Sequence, residues 1–213
     1  MAVARVPPTL TARRFARGLN ELTARHRYFA RVVDRFGPPP MWERSPGFPT
    51  LIHIILEQQV SLASALAAFK RLETAARPLS PQTFLALDDA ALRAIGFSRQ
   101  KTAYGRHLSR SILDGMLDLE GLPMLADDAV RTSLMQIKGI GSWSANIYLL
   151  MVLLRPDIWP SGDLALAVAA QAVLRRRTRP SSLELELLSA AWSPWRAIAA
   201  RILWHDYLSR RGA

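Results

Sequence analysis

Apolar residues recur at helical spacing along almost the whole chain, and this pattern restricts the fold more than any other feature. One such run lies between Ser61 and Ala75, where alanines, leucines and a phenylalanine stand three or four positions apart. Helix start and stop signals separate the runs, for example Ser80-Pro81 at a start and Gly96 at an end. Because no alternating strand pattern and no internal repeat is found, we predict about ten helices and an all-α fold.

Three further helix starts are predicted from local signals. Asn20 is expected to cap a helix that ends at Phe36. Asp127 or Asp128 is expected to cap a later helix, and Pro194 is expected to begin the last one.

The charge and composition exclude several classes of protein. The chain has 28 lysines and arginines against 17 acidic residues, a net charge of +11, and no cysteine. Without cysteine, disulfides, iron–sulfur clusters and thiolate zinc sites are excluded. The basic excess favours a polyanionic partner, nucleic acid first. The alternative is that the arginine content reflects only genome composition and solubility.

No segment is predicted to enter a membrane. The longest clean apolar run, Ile147 to Leu154, has eight residues, whereas a membrane span needs about 20. The first residues, MAVARVPPTL, lack the long apolar stretch of a signal peptide. We therefore expect a location in the cytoplasm of a bacterium, in association with the nucleoid.

Residues 134–145, LMQIKGIGSWSA, contain two glycines around one apolar residue between two predicted helices. Ile140 is predicted to turn inward and fix this hairpin, while Gly139 and Gly141 let another backbone approach closely. The amides at the start of the helix that begins with Ser142 form an anion site, which suits a DNA phosphate. An ordinary tight helix–helix turn is the alternative, because a lone G-x-G is a weak signal.

This segment resembles the helix-hairpin-helix element of the DNA glycosylase superfamily, and within it the 3-methyladenine DNA glycosylase II group. The resemblance continues, in family order, in four other segments: Gln58-Gln59-Val60-Ser61, Gly96 to Lys101, Trp159 to Asp163, and Trp192 to Arg196. It implies one glycosylase domain over residues 1–213, built as a two-lobed helical bundle with the active-site cleft between the lobes. The central lobe is expected at about residues 50–160, and the other lobe at residues 1–49 plus 161–213.

Asp163 is the catalytic residue that the resemblance implies. It follows the hairpin at the family's spacing and stands at a predicted helix start. A carboxylate there would stabilise the positive charge that develops on the sugar as the N-glycosidic bond breaks, and would orient or deprotonate water. The alternative is that Asp163 is only a helix N-cap.

Trp143 stands where the strand-cleaving members of the family have a lysine. Because an indole cannot act as an amine nucleophile, we predict a monofunctional enzyme that releases the base and leaves the strand intact. By the same resemblance, Trp143 and Trp204 line the base pocket, where aromatic faces attract a positively charged alkylated purine. Core packing is the alternative for both. The remaining tryptophans are expected to be structural: Trp42, Trp159, Trp192 and Trp195.

The resemblance also implies contacts to DNA and to an ion. The implied DNA-binding residues are Gln58, Gln59, Lys138, Gly139, Gly141, Ser142 and Ser144. Gln59 would fill the gap left by a flipped base, or else is a surface residue at a helix end. A monovalent cation, Na⁺ or K⁺, would bind the backbone carbonyls of Met135, Ile137 and Ile140. The histidines show no metal-ligand spacing, so no cofactor is expected for catalysis.

The expected partner is double-stranded DNA that contains damaged bases, bound by a monomer. The expected substrates are alkylated bases of the 3-methyladenine and 7-methylguanine type. Two alternatives stay open: a non-catalytic helix-hairpin-helix DNA-binding protein, and a glycosylase for deaminated or oxidised bases.

Overall fold

The computed structural model describes residues 7–212, and all regular elements in this range are helical. The α-helices are α1 Ala12–Arg25, α2 Arg27–Phe36, α3 Phe48–Glu57, α4 Leu62–Ala75, α5 Pro81–Ala86, α6 Asp89–Ile95, α7 Arg99–Leu113, α8 Asp127–Met135, α9 Ser142–Met151, α10 Leu164–Val173, α11 Ser182–Ser189 and α12 Arg196–Arg211. The predicted all-α class is confirmed. Within residues 7–212, no helix combines the length and the apolar character needed to cross a bilayer.

Several helix starts lie where local signals predict them. Ser61, Ser80, Asp88 and Asp163 each accept a hydrogen bond from the backbone N–H three residues later. Such a bond satisfies one of the unpaired donors of the first turn. Gly96 ends α6 in the left-handed conformation, with φ +116°, which glycine adopts without a steric penalty.

The first predicted helix is wrong, because the structure divides it in two. Asn20 lies inside α1, whose N-cap is Thr11. His26 then ends α1 in an extended conformation, with φ −133° and ψ 95°, and α2 begins at the next residue. Leu22 and Phe29, on either side of the break, are both fully buried. The apolar pattern therefore continues across the break and gives no sign of it.

Two later helix starts are shifted from their predicted positions. Asp127 and Asp128 lie in the first turn of α8, after the N-cap Ala126. Acidic side chains there still interact favourably with the helix dipole. Pro194 precedes the last helix, whose N-cap is Trp195.

By its internal contacts the chain divides into two compact units. The first comprises Arg44–Tyr148, and the second comprises Pro8–Glu43 and the described part of Leu149–Ala213. Both borders lie before the predicted ones near residues 50 and 160. Just after the second border, the carbonyl of Leu150 accepts a hydrogen bond from Arg201 on α12, which ties Leu150 to the second unit. The single domain and the cleft between lobes stay predictions.

One central helix organises each unit. In the first unit, α3 is buried on almost every side and packs against α4 and α7. In the second unit, α12 is buried from Ala197 to Trp204 and packs against α1, α2 and α10. In the first unit α3 leads into Gln58, and in the second unit α12 carries Trp204.

Candidate active site

The turn between α8 and α9 is a tight hairpin with one apolar side chain directed inward. Ile140 is 5% exposed, and its N–H donates to the carbonyl of Ile137 at 2.9 Å. The predicted inward turn of Ile140 is therefore confirmed. Met135, whose carbonyl is also a predicted cation ligand, ends α8.

The two hairpin glycines serve different purposes. Gly139 has φ +90°, and a Cβ atom there would lie 2.2 Å from the ring of Tyr104. Only glycine fits this position, because any side chain would be strained and would overlap the ring. A Cβ atom at Gly141 would meet nothing within 4 Å. Gly141 thus leaves open space in front of the backbone, which suits the close approach of a ligand.

Gln58 braces the hairpin from inside the protein. Its Nε2 donates to the carbonyl of Gly139 at 2.8 Å and to Oγ of Ser144 at 2.9 Å. Ser144 is itself 3% exposed. Both hydrogens of the Gln58 amide are therefore used within the protein. The predicted DNA contacts of Gln58 and Ser144 stay predictions.

One face of α7 supports the same region, a role that the sequence motifs did not indicate. Nζ of Lys101 donates to the carbonyl of Leu56 at 2.7 Å, and burial lowers the pKa of Lys101. Nδ1 of His107 accepts a hydrogen bond from the backbone N–H of Lys138 at 3.2 Å. With Tyr104, these residues recur every third position along α7. That spacing is the signal that could have identified this face.

Four of the predicted DNA contacts lie on the surface: Gln59, Lys138, Gly141 and Ser142. Gln59 has φ +57°, in the left-handed region that favours glycine. A residue other than glycine in this region is uncommon, and such conformations cluster at functional sites. The backbone therefore singles out Gln59 among the exposed residues between α3 and α4.

Asp163 caps α10 and contacts one of the predicted pocket tryptophans. Its Oδ1 accepts hydrogen bonds from the backbone N–H of Leu166 at 2.9 Å and from Nε1 of Trp204 at 3.3 Å. The capping bond and the contact with an aromatic side chain thus occur at the same carboxylate oxygen. Trp143, in contrast, lies in the first unit and is half-buried. Its predicted meeting with Trp204 in one base pocket stays a prediction.

A cavity of about 210 Å³ opens beside Asp163. Its lining includes Trp159, Pro160, Gly162, Leu164 and Arg179. Trp204 is not among the lining residues, although it contacts the same carboxylate. Arg179 brings a positive charge to this cavity, and no local sequence signal distinguished it from the neighbouring arginines.

The other tryptophans differ in how much of the ring is covered. Trp159, Trp192 and Trp195 are buried, and Nε1 of Trp192 donates to the hydroxyl of Tyr28 at 2.9 Å. Trp42 is half-buried and packs edge-to-face on Trp204, with ring centroids 6.5 Å apart.

A metal site formed by side chains is not found in the part of the chain that the structure describes. Within residues 7–212, no group of three or more histidine, aspartate or glutamate side chains could hold a metal ion.

A family model described as "HhH-GPD superfamily base excision DNA repair protein" matches residues 52–195 of this chain. The match covers more than half of the chain. It includes Gln58, the hairpin and Asp163, and it ends before Trp204.

Two relatives are similar over different lengths. DNA-3-methyladenine glycosylase 1 of Schizosaccharomyces pombe is 25% identical over 190 residues, which are 87% of this chain and 83% of that protein. YfjP of Bacillus subtilis, a candidate DNA-3-methyladenine glycosylase, is 32% identical over 126 residues, which are 59% of this chain. The matched region spans 44% of the length of YfjP.

The fold is also similar to that of a solved DNA complex. The structure of the 3-methyladenine DNA glycosylase Mag1 of S. pombe with abasic DNA superimposes with a TM-score of 0.82 and 23% identity. The superposition covers 92% of this chain and 97% of Mag1. At this identity, the similarity is one of fold.

Proposed function

Because the chain belongs to the HhH-GPD superfamily of base excision DNA repair proteins, we propose that it is a monofunctional DNA glycosylase for alkylated bases in duplex DNA. It hydrolyses the N-glycosidic bond of bases of the 3-methyladenine and 7-methylguanine type and leaves an abasic site for repair. The observation that carries this proposal is the contact between Nε1 of Trp204 and Oδ1 of Asp163 at 3.3 Å. This contact places an aromatic ring, which can stack on the base, beside a carboxylate, which can stabilise the charge on the sugar.

The reaction develops positive charge on the sugar as the glycosidic bond breaks. The bonding electrons leave with the base, and a water oxygen then bonds to the anomeric carbon. Asp163 stabilises the cationic sugar and accepts or relays the proton of that water. An alkylated purine is already positively charged, so it leaves without a general acid.

The nucleophile is water, and no enzyme amine attacks the sugar. Trp143 occupies the second position after Gly141, where the strand-cleaving relatives have a lysine. The indole cannot form a Schiff base. The strand therefore stays intact after base release.

The hairpin binds the DNA backbone. Gly141 leaves space for a phosphate in front of the amides that open α9, and Lys138 adds an exposed positive charge. The damaged base leaves the stack, and Gln59 fills the gap. Gln58 and Ser144 contact the DNA beside the hairpin and also hold the hairpin in shape.

The same turn suits a monovalent cation. The carbonyls of Met135, Ile137 and Ile140 are neutral donors near the C-terminal end of α8, where the helix dipole is negative. The carbonyl of Ile137 accepts the N–H of Ile140 at 2.9 Å and keeps a second lone pair. Na⁺ or K⁺ bound there would link the hairpin to a phosphate. Hydrolysis as derived above uses no cofactor and no iron–sulfur cluster.

The proposed reaction requires damaged duplex DNA as the partner. The protein binds double-stranded DNA with damaged bases as a monomer, and its place is the bacterial nucleoid. The +11 charge supports binding that does not depend on base sequence.

One assay tests the proposed function. Methylated duplex DNA is incubated with the protein, and the free bases are identified by chromatography. We expect 3-methyladenine and 7-methylguanine from the wild-type protein. DNA binding without release of any base would instead identify a non-catalytic binding protein. Release of hypoxanthine or 8-oxoguanine alone, from duplexes that carry those bases, would identify a glycosylase for deaminated or oxidised bases.

A further inference from the structure

Trp42, between α2 and α3, has an unusual backbone conformation. Its φ is +47°, in the left-handed region where a bulky side chain is rarely found. Such a conformation persists only where the surrounding structure enforces it, and it is common at ligand sites.

The residue that holds Trp42 is Arg201 on α12, whose side chain is fully buried. Its Nε donates to the carbonyl of Met41 at 2.7 Å. That carbonyl belongs to the peptide group just before Trp42, and rotation relative to this peptide group defines the φ angle of Trp42. The bond therefore holds one of the two groups whose relative rotation sets this φ angle.

Arg201 is itself held by two further carbonyls. Nη1 donates to Ala197 at 3.0 Å, and Nη2 donates to Leu150 at 2.8 Å. Burial lowers the pKa of Arg201 to about 10, so the guanidinium stays charged near neutral pH. Burying a charge is costly in free energy, which is consistent with a specific positioning task.

The ring of Trp42 packs on the tryptophan that contacts the candidate catalytic group. It packs on Trp204 with centroids 6.5 Å apart and planes at 74°. Trp204 in turn donates to Asp163. Because Trp204 is 8% exposed, it offers little free ring surface, whereas Trp42 is half-buried and offers more. Two rings near a right angle form a corner, in which a planar cation can stack on one ring and meet the other.

We propose that Trp42 is a contact for the displaced, positively charged base, and that Arg201 is the positioning residue that holds it beside Trp204. This inference rests on the proposed glycosylase function and names a further specificity determinant of that site. It replaces the prediction that Trp42 is merely structural.

Binding measurements test the contact separately from catalysis. One duplex carries 7-methylguanine on a 2′-fluorinated sugar, which slows hydrolysis, and the other carries an abasic site at the same position. We expect Trp42→Leu to weaken binding of the alkylated duplex by about 3- to 30-fold. Binding of the abasic duplex should stay unchanged, because it offers no base. Trp42→Phe, which keeps an aromatic face, should restore most of the affinity.

Two further variants complete the test. Arg201→Lys should reproduce the selective loss in part, and its effect should not add to that of Trp42→Leu, because both act through one ring. Trp195→Phe is the matched control, which should change neither affinity. Equal losses on both duplexes, or wild-type affinity of Trp42→Leu for the alkylated duplex, would overturn the inference. A wild-type protein that discriminates between the duplexes but releases no base would refute the proposed function and leave the Trp42 contact standing.

Discussion

Oδ1 of Asp163 accepts hydrogen bonds from two sources at once, the backbone N–H of Leu166 and the indole of Trp204. The carboxylate is therefore fixed both to the start of α10 and to α12. An aspartate that served only as a cap would need the first of these bonds alone. The second bond connects it to an aromatic side chain and gives a reason to test the two roles separately.

Asp163→Asn separates the capping role from the catalytic role, because asparagine is also a good N-cap. We expect the single-turnover rate of base release to fall by about 100-fold or more, since the charge that stabilises the sugar is lost. The free energy of unfolding should change by less than about 1 kcal/mol. Affinity for duplex DNA should survive. Quench-flow measurement of released 3-methyladenine gives the single-turnover rate. Unfolding in urea gives the free energy of unfolding.

Asp88→Asn is the matched control for this variant. Asp88 caps α6 through a bond from the backbone N–H of Ala91, so the same chemical change is made at a cap outside the candidate site. Wild-type release by Asp88→Asn with a loss in Asp163→Asn would assign the effect to the site. Comparable release rates in both variants would contradict a catalytic role for Asp163.

The hairpin glycines should respond differently to substitution. Gly139→Ala should lower the free energy of unfolding by roughly 2 kcal/mol or more, because of the left-handed φ and the overlap with Tyr104. Gly141→Val should leave stability nearly unchanged, since a Cβ atom there meets nothing within 4 Å. Its effect should instead be a loss of DNA affinity, measured by fluorescence anisotropy. If Gly141→Val binds DNA like the wild-type protein, the open space does not receive a phosphate.

Gln58→Ala should weaken the hairpin as well as remove a DNA contact. Two hydrogen bonds are lost and the carbonyl of Gly139 loses its amide donor, so we expect a destabilisation of about 1–3 kcal/mol. DNA affinity should fall together with stability. Gln59→Ala, at the neighbouring position, should leave the unfolding transition in place and slow base release. An unchanged unfolding transition in Gln58→Ala would show that the brace contributes no stability.

Strand cleavage should be absent from the reaction. The product on an end-labelled duplex should be an intact strand that breaks only after alkali or heat. Borohydride should trap no covalent complex, since Trp143 offers no amine. A trapped adduct that disappears in Lys138→Ala would identify a lysine nucleophile and a different branch of the superfamily.

Binding to undamaged duplex DNA should depend on salt. With a net charge of +11 and a hairpin that receives phosphates, affinity should fall by at least about tenfold between about 50 and about 200 mM salt. Duplexes of different sequence should show the same slope. Affinity that stays constant over this range would exclude the phosphate backbone as the main contact.

Features that depend on neighbouring residues follow from the sequence alone. The caps Ser61, Ser80 and Asp163 lie within three residues of the amides that they bind, so their composition and spacing predict them. The inward turn of Ile140 follows equally from its place between two glycines. His26 shows the limit of such signals, because the core residues on both sides of it keep the apolar pattern while the backbone breaks.

Only the tertiary structure decided which of these residues meet. The bonds that define the candidate site join positions far apart in the chain: 41 residues between Asp163 and Trp204, 81 between Gln58 and Gly139, and 160 between Met41 and Arg201. No local rule predicts such pairs, since each depends on how the helices pack within one unit. The sequence by itself determined the all-α class, most helix starts, the hairpin and the resemblance to a family, but not the break at His26. Packing determined that Gln58 braces the hairpin and that a buried arginine holds Trp42 beside Trp204.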